Sequence, residues 1–332
     1  MSVYSRGTRV KPFIKWVGGK SQLLEQLDAQ LPFDFDKWED VTYIEPFVGG
    51  GAMLFYMLQR YPNIKHTFIN DINSDLTTCY RTVRDNPEQL IVSLKDIEET
   101  YLAIESEEER KRFFMAARSR YNEKGLDDIE NTTLFFFLNR TCFNGLYRVN
   151  KKGLFNVPFG RYANPTICDP ETIRKDSELL QRVEIQNCDF EATFEHAQGN
   201  TLFYLDPPYR PLSDTSSFND YAKEAFNDDA QIRLKEFCDR INEAGFHFML
   251  SNSDCKGKNE EDNFFDVLYQ AYPIERVWAS RSINSNPNKR GNLTEILVHN
   301  YIGTKAKSQT EYHQADVPVL YVAEEAVGYI EN

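Results

Sequence analysis

The chain has 332 residues, of which 41% are hydrophobic and 27% charged, as is usual for a soluble globular protein with one large or two smaller domains. The formal net charge is −13, and the 6 cysteines are scattered with no Cys-x-x-Cys pair. This composition argues against a zinc site, a disulfide framework and a membrane span. Because the first residues also lack a hydrophobic signal core, we expect a cytoplasmic protein without a metal.

A glycine-rich turn followed by a short helix opens the chain. Gly18-Gly19-Lys20-Ser21 precedes a segment with Leu23, Leu24 and Leu27 on one helical face. A phosphate-binding P-loop would need a glycine five residues before Gly19, where the chain has Ile14, so that motif is excluded. The free glycine N–H groups suit an anionic group such as a carboxylate, although an ordinary loop-to-helix turn explains the pattern nearly as well.

A strand, a glycine loop and a helix follow. Val41 to Glu45 predicts a strand that runs into the loop Pro46 to Gly51 and then the helix Ala52 to Arg60. This order is typical of the nucleotide-binding half of a doubly wound sheet. A dinucleotide fingerprint would place a third glycine at the position of Leu54, so the loop is not one for NAD.

The next strand ends at an acidic residue. Residues Thr67 to Asn70 predict a strand. Asp71 follows this strand and lies 20 residues after Gly51. A carboxylate at this distance from a glycine loop accepts hydrogen bonds from ribose hydroxyls, which indicates a cofactor that contains a nucleoside. The alternative is that Asp71 caps a helix that starts near Asn73.

A charged helical region from Pro87 to Gly125 interrupts the strand pattern, and we interpret 86–163 as an inserted, mostly helical domain. Its end predicts a β-hairpin that pairs Leu146–Asn150 with Leu154–Val157. The segment Asn131–Cys168 holds no acidic residue, and Arg276–Leu293 is a second acid-free stretch with basic residues. Cations interleaved with aromatic rings suit duplex DNA, although a solvated basic hairpin is the plainer alternative.

The most informative strand is Leu202 to Leu205, which stops at Asp206-Pro207-Pro208-Tyr209. Because neither proline donates to a sheet ladder, the strand must end there, at the sheet edge where ligands bind in α/β folds. The Asp206 carboxylate and the Pro207 carbonyl could accept both N–H bonds of a purine amino group, which would localise its lone pair. Tyr209 could stack on the base, and a methyl donor in line would complete a displacement. A capped Pro-Pro turn is the alternative.

The remaining pattern completes a sheet. The sequence predicts a strand at Val183–Asp189, a helix at Asp228–Ala244 and a strand at Phe246–Leu250, and then an antiparallel pair at Ile274–Ala279 and Thr294–Tyr301. A polar loop at Pro211–Tyr221 could close over the site, and residues 304–332 form a tail without an assigned role.

From about Lys11 to Tyr301 the chain resembles the Dam-type, D12 family of DNA adenine-N6 methyltransferases, including bacterial and phage enzymes that act at GATC. The resemblance implies an α/β fold with a Rossmann-like methyltransferase sheet at 1–85 plus 164–303, and a target-recognition domain at 86–163. The motifs that carry it are Lys15-Trp16-x-Gly18-Gly19-Lys20, Glu45-Pro46-Phe47-x-Gly49-x-Gly51, Asn70-Asp71-x-Asn73-x-Asp75-Leu76, Asn144-Gly145-Leu146-x-Arg148-x-Asn150, Phe155–Tyr162, Asp206-Pro207-Pro208-Tyr209 and Arg281-Ser282-Ile283-x-Ser285-Asn286.

The resemblance also implies roles for single residues. Asp206, Pro207 and Tyr209 would be catalytic. The methyl donor would be S-adenosylmethionine, held by Trp16, Lys20, Phe47, Gly49, Gly51, Asp71, Asp189, Phe190 and Asp206. Double-stranded DNA would contact Lys15, Phe143, Asn144, Arg148, Pro158 and Arg161. Arg148 would read a guanine, and Phe143, where the family often has Tyr, would wedge beside the flipped adenine.

Two alternatives remain at this stage. One is methylation of an amine-like nitrogen in RNA or in a protein amide, although protein-glutamine enzymes favour Asn at the position of Asp206. The other is a DNA-binding module with an inactive cofactor site, which the intact acidic and glycine motifs disfavour. The sequence leaves open the oligomeric state and whether the enzyme acts alone or protects DNA from a partnered nuclease.

Overall fold

A computed structural model describes residues 10–210, 226–280 and 292–303, and its centre is a seven-stranded mixed sheet in the order β3-β2-β1-β4-β5-β7-β6. Neighbouring strands from β3 to β5 run parallel, and β7 is antiparallel to both of its neighbours. The predicted α/β class with a Rossmann-like sheet is therefore confirmed. The strands are β1 Val41–Glu45, β2 Ile64–Asn70, β3 Val183–Gln186, β4 Asn200–Leu205, β5 His247–Ser253, β6 Ile274–Ser280 and β7 Asn292–His299.

Helices cover both faces of this sheet. Side chains of β4 alternate between two cores, because Leu202 and Tyr204 face one core while Phe203 and Leu205 face the other. The helices are α1 Leu24–Asp28, α2 Ala52–Arg60, α3 Ser74–Asp85, α4 Pro87–Leu102, α5 Glu107–Asn122, α6 Asp128–Thr141, α7 Pro170–Leu180, α8 Asp228–Glu243, α9 Cys255–Lys258 and α10 Phe264–Leu268. The first core packs α1 to α7, and the second packs α8 and α10.

Strand β1 is the pivot of the sheet. It pairs with β2 on one side and with β4 on the other, so the strand order reverses between β1 and β4. A crevice opens at the carboxyl ends of the strands at such a switch point, and ligands bind there in open α/β sheets. All five residues of β1 are buried, as expected for a parallel strand with helices on both faces.

Asn70, at the end of β2, ties three strand ends together. Its side-chain amide donates to the carbonyls of Pro46 and Cys188, both at 3.0 Å, and its Oδ1 accepts from the Cys188 backbone N–H at 2.8 Å. Pro46 follows β1, and Cys188 lies shortly after β3. Because Asn70 is buried, these bonds are shielded from water and hold the rim of the crevice in place.

The helical region between β2 and β3 shares the core of the sheet. Helix α6 packs against α3, α4 and α5, and α7 packs against α3 and α4. The ring of Phe13 stacks on Phe136 of α6 with centroids 5.5 Å apart, and the Arg140 guanidinium donates to the Phe13 carbonyl at 2.7 Å. The division into 86–163 and the flanking segments stays a prediction, since packing alone does not separate them.

The hairpin is less regular than the sequence predicts. Val149 and Phe155 form one isolated antiparallel bridge, flanked by a hydrogen bond from the Asn150 N–H to the Leu154 carbonyl. The Asn150 side chain accepts from the N–H of Lys152 and so fixes the turn. Side chains that bond the backbone locally replace ladder pairs here, which explains why two full strands do not form.

Two other predictions need adjustment. The strand predicted at Val183–Asp189 ends at Gln186, and a 3₁₀ turn, Phe190–His196, begins at the Asp189 cap. Asn73, and not Asp71, caps α3, because its side chain accepts from the N–H groups of Asp75 and Leu76. The loop Pro211–Tyr221, the motif from Arg281 to Asn286 and the tail 304–332 lie outside the described residues.

Two kinds of feature are absent from the described residues. Within 10–210, 226–280 and 292–303, no helix has the length and apolar character needed to cross a bilayer. The same ranges contain no group of His, Cys, Asp and Glu side chains arranged to hold a metal ion.

Candidate active site

The end of β4 delivers Asp206 to the switch point, where Lys20 pairs with it. Lys20 Nζ lies 2.9 Å from Asp206 Oδ1, and the side chains are 4% and 20% exposed, respectively. Pro207 is buried and Pro208 is exposed, so the chain turns from the core to the surface within two residues. The Asp206 carboxylate therefore lies at the rim of the crevice, paired with the Lys20 ammonium.

Tyr209 is held by both its hydroxyl and its ring. The hydroxyl donates to Glu295 Oε2 at 2.8 Å and lies 2.7 Å from Ser251 Oγ, which can donate to it in turn. The Lys20 ammonium lies 4.4 Å from the ring centroid, a cation–π contact. The ring is therefore fixed beside Asp206, with the ammonium against it.

The strands under the site carry further acidic groups. Burial raises the pKa of Asp206; the charge of Lys20 opposes this rise, and the charge of Glu295 adds to it. Glu45, at the end of β1, is buried, and burial raises its pKa to about 8 although Tyr43 donates to it at 2.6 Å. The charge of Asp206 raises the pKa of Glu45 further, so the two acids disfavour simultaneous ionisation.

Sequence reasoning missed Glu295 and Ser251. Glu295 lies on β7 opposite Ser253 of β5, and Ser251 lies on β5 itself. The available signal was a single acid inside the run Leu293 to Val298, in which Thr294 is the other polar residue. That signal becomes meaningful only with the order of the sheet, which places β7 beside β5.

The glycine loop is packed against Trp16. A Cβ atom at Gly49 would lie 3.0 Å from the Trp16 ring, and one at Gly50 would lie 2.8 Å from Trp16 Cβ. At Gly51, with φ of +73°, a Cβ would lie 2.4 Å from the hydroxyl oxygen of Tyr80. Close packing and left-handed backbone thus both require glycine in this loop.

Asp71 connects the loop to the end of β2. Its carboxylate accepts from the N–H of Gly49 at 3.1 Å and from the N–H of Asn73 at 2.9 Å. Burial raises the pKa of Asp71, and these two backbone donors oppose the rise. The acid therefore holds the glycine loop in place.

Aromatic rings line the ends of β1 and β3. The rings of Phe47 and Phe190 lie 5.2 Å apart, and the Arg233 guanidinium lies 4.4 Å from the Phe190 centroid. Asp189 pairs with Arg233 and accepts from the Glu191 N–H at 3.1 Å. Its carboxylate thus already has two partners, and it fixes Phe190 beside Phe47.

Four of the predicted DNA-contact residues lie close to one another. The Phe143 N–H donates to the Pro158 carbonyl at 2.8 Å, and the Asn144 N–H donates to the hydroxyl of Tyr162 at 3.1 Å. The Lys15 ammonium lies 5.6 Å from the ring centroid of that same Tyr162. Half of the Phe143 side chain is exposed, so its ring is available to a partner.

The other two predicted DNA contacts are paired elsewhere on the loop. Arg148 donates through Nε to Asn156 Oδ1 at 2.8 Å, which orients its guanidinium across the hairpin. Arg161, with φ of +57°, lies 3.6 Å from Glu107, and both side chains are exposed. The Gly160 N–H donates to the Thr141 carbonyl at 2.8 Å, so the ends of this loop meet.

Trp16 joins this loop to the crevice. Its ring stacks on Tyr147, one residue before Arg148, with centroids 5.5 Å apart. The Lys15 backbone exchanges two hydrogen bonds with the Asn139 side chain, at 3.0 and 2.8 Å. These contacts pack the segment that carries Lys20 against the basic hairpin.

A comparison with protein families decides the class of this site. Residues 16–283 match the family described as D12 class N6 adenine-specific DNA methyltransferase. The chain belongs to this family. As a D12 methyltransferase it is an enzyme that methylates adenine in DNA at N6, and its substrate is DNA.

The alignments of this D12 methyltransferase with similar proteins span nearly the full length of those proteins. It is 45% identical to the Type II methyltransferase M.MjaIII of Methanocaldococcus jannaschii, over 88% of this chain and 99% of that protein. It is 37% identical to the Type II methyltransferase M1.LlaDCHI of Lactococcus lactis subsp. cremoris, over 88% of this chain and 96% of that protein. It is 32% identical to the DNA adenine methylase of Vibrio cholerae, over 87% of this chain and 95% of that protein.

Proposed function

We propose that this D12 methyltransferase transfers the methyl group of S-adenosylmethionine to N6 of an adenine flipped out of duplex DNA, within GATC. The observation that carries the proposal is the placement of Asp206. Its partly exposed carboxylate lies at the switch point beside Lys20, whose segment packs against the basic hairpin through Trp16 and Tyr147. An acceptor in that position suits an amino group that enters from the hairpin side.

In this proposal Asp206 and Pro207 orient the adenine amino group. The carboxylate and the Pro207 carbonyl accept its two N–H bonds, which localises the nitrogen lone pair and makes it a better nucleophile. S-adenosylmethionine supplies an electrophilic methyl group on a sulfonium. As the new N–C bond forms, the S–C bond would break with its electron pair left on sulfur. N6 would gain positive charge, which the Asp206 carboxylate stabilises, and would then release a proton to water. Tyr209 forms the wall against which the base packs.

The residues at the strand ends fit the proposed cofactor by their chemistry. Asp71 can accept from ribose hydroxyls, and the Phe47 and Phe190 rings provide an apolar place for a heterocycle. Asp206 and Lys20 can pair with the amino and carboxylate groups of an amino acid. We assign Trp16, Gly49 and Gly51 to the shape of this pocket, because Trp16 packs against the loop, and Asp189 to holding Phe190.

The hairpin surface supports recognition of double-stranded DNA. Lys15, Asn144, Pro158 and Arg161 would contact the backbone, and the exposed Phe143 would fill the gap that the flipped adenine leaves. Arg148 would read a guanine through a bidentate pair, which is how arginine commonly recognises that base. GATC is supported by the similarity to DNA adenine methylases, and a role in a type II modification system by the 45% identity to M.MjaIII.

Transfer of a labelled methyl group tests the proposal. We expect S-adenosylmethionine labelled in the methyl group to mark a GATC duplex as N6-methyladenine, with much slower labelling of duplexes changed at one base. RNA and protein substrates should stay unlabelled. Asp206→Ala should abolish transfer, while Glu275→Gln, an exposed acid on β6, should not. A folded wild type that labels no DNA would refute the reaction, and equal labelling of all duplexes would refute only the GATC assignment.

A further inference from the structure

Lys20 is shared between two acids. Its ammonium lies 2.9 Å from Asp206 Oδ1 and 3.8 Å from Glu295 Oε2, and it donates to the Gly18 carbonyl at 3.0 Å. The Tyr209 ring covers another side of the ammonium, with its centroid 4.4 Å from Lys20 Nζ. With 4% of its side chain exposed, this cation lies inside the protein.

The Lys20 ammonium pairs with Asp206 Oδ1, an oxygen that could accept the adenine N–H. If Asp206 accepts an adenine N–H at Oδ1, Lys20 must give up part of that contact. The amino-acid end of the proposed cofactor carries no net charge, so its carboxylate alone does not balance the Lys20 ammonium. A buried ammonium that loses Asp206 therefore needs another acid of the protein within reach. Glu295 meets this requirement, since its distance to Lys20 Nζ exceeds that of Asp206 by only 3.8 − 2.9 = 0.9 Å.

We propose that Glu295 is a positioning residue of the methyl-transfer site, which receives the Lys20 ammonium when the adenine amino group binds Asp206. The inference rests on the proposed function, because it concerns the acceptor that Asp206 provides. The same carboxylate accepts from the Tyr209 hydroxyl at 2.8 Å and so holds the ring beside the exchange. Glu295 acts through Lys20 and Tyr209, without a contact to the substrate.

The charge of Glu295 also has a consequence for the pH dependence. Asp206 is faced by Lys20 from the glycine turn, Glu45 from β1, Tyr204 and Tyr209 from its own segment, and Glu295 from β7. Burial raises the pKa of Asp206, and the Glu295 charge adds to that rise. Removing this charge lowers the pKa of Asp206. The carboxylate then stays ionised to lower pH. The acid limb of the pH profile, where activity falls as the pH is lowered, therefore also moves to lower pH.

Two conservative variants separate the charge of Glu295 from its shape. Glu295→Gln keeps an acceptor for Tyr209 but loses the charge, and Glu295→Asp keeps the charge. We expect Glu295→Gln to raise KM for a GATC duplex by at least about tenfold, because Lys20 then stays on Asp206. Its acid limb in kcat/KM should move to lower pH by at least about half a unit, while that of Glu295→Asp stays with the wild type.

The controls distinguish the two proposals. Glu275→Gln removes an exposed acid from the neighbouring strand β6 and should leave KM and the acid limb unchanged. Circular dichroism of each variant confirms that it is folded. If the wild type transfers methyl groups and Glu295→Gln keeps the wild-type KM and acid limb, the role of Glu295 is overturned while the proposed function stands. If the wild type itself transfers none, the proposed function fails.

Discussion

Trp16 occupies the space that a side chain at Gly50 would need, since a Cβ atom there would lie 2.8 Å from Trp16 Cβ. The glycine loop is therefore restricted to small residues by its packing against the segment that carries Lys15 and Lys20. This packing links the loop to the segment for which we propose contacts with the cofactor and with DNA.

Gly50→Ala tests this packing. The new methyl group must displace Trp16, so we expect the affinity for S-adenosylmethionine to fall about tenfold, the size of effect usual for overpacking at a tight contact. Quenching of tryptophan fluorescence on titration would measure it. Gly125→Ala is the matched control, because that glycine has φ of +70° but open space around it. It should cost about 1 kcal/mol of stability and leave cofactor affinity unchanged. Unchanged affinity in Gly50→Ala would contradict the role assigned to this contact.

Phe143→Ala should slow methylation without loss of stability. The side chain is 50% exposed, and stacking of such a ring contributes on the order of 1–3 kcal/mol per base, so we expect at least a tenfold fall in kcat/KM. A duplex with an abasic site opposite the target adenine should restore much of the rate, because an unpaired base costs less to flip. Val92→Ala, at an exposed apolar position on α4, should have no effect. Absence of rescue by the abasic duplex would argue that Phe143 does not act as a wedge.

Arg148→Lys should relax the choice of DNA sequence. Lysine cannot form the paired N–H bonds that distinguish guanine, so discrimination against a duplex changed at one guanine should fall by about 1–3 kcal/mol. Asn156→Ala should produce a smaller loss in the same direction, since Asn156 orients the guanidinium. Initial rates on GATC and singly substituted duplexes would measure both effects. A uniform fall on every duplex would instead indicate that Arg148 contacts phosphate.

Asp176 predicts a stability that depends on pH. Both carboxyl oxygens are buried without a hydrogen-bond partner among the described residues, and burial raises the pKa of this acid to about 9. The unfolded chain releases this proton near pH 4, whereas the folded chain retains it. The free energy of unfolding therefore falls as the pH rises from about 4 to about 9. Asp176→Leu should stabilise the protein by about 1–3 kcal/mol near pH 8 and by less near pH 5.

Thermal melts at the two pH values would measure this effect. Asp96→Leu, at an exposed acid on α4, provides the control and should show no such pH dependence. An equal shift of the melting temperature at both pH values would show that the Asp176 carboxyl titrates as an ordinary exposed acid, contrary to its burial.

Local signals account for the parts of the fold that the sequence predicts well. Strand β1 and helix α2 have the predicted bounds because a proline and three glycines separate them, and β4 ends where Asp206-Pro207 stops the ladder. The irregular hairpin and the early end of β3 differ from the prediction, because side-chain hydrogen bonds to the backbone decide both. The roles of single site residues stay predictions until they are tested by mutation.

Long-range signals explain why the site was only partly anticipated. Asp206 and Tyr209 could be chosen from one tetrapeptide, whose residue types and position at a strand end suit an amine. Glu295 lies 295 − 206 = 89 residues further along the chain, and it reaches Tyr209 only because β7 inserts antiparallel beside β5. No periodicity in the chain reports that insertion, so the pairing of Lys20 with two acids required the three-dimensional arrangement.

The hydrogen bond between Gly160 and Thr141 has a practical consequence for engineering. It joins the two ends of the loop that carries Phe143 and Arg148, while α6 before it is anchored to Phe13. A segment exchanged between these two positions enters and leaves the scaffold at adjacent points, and it must keep Tyr147, whose ring packs against Phe135 of α6, and the buried Phe155. Chimaeras that take residues 142–159 from a relative of different sequence preference are therefore the natural way to transplant specificity into this scaffold.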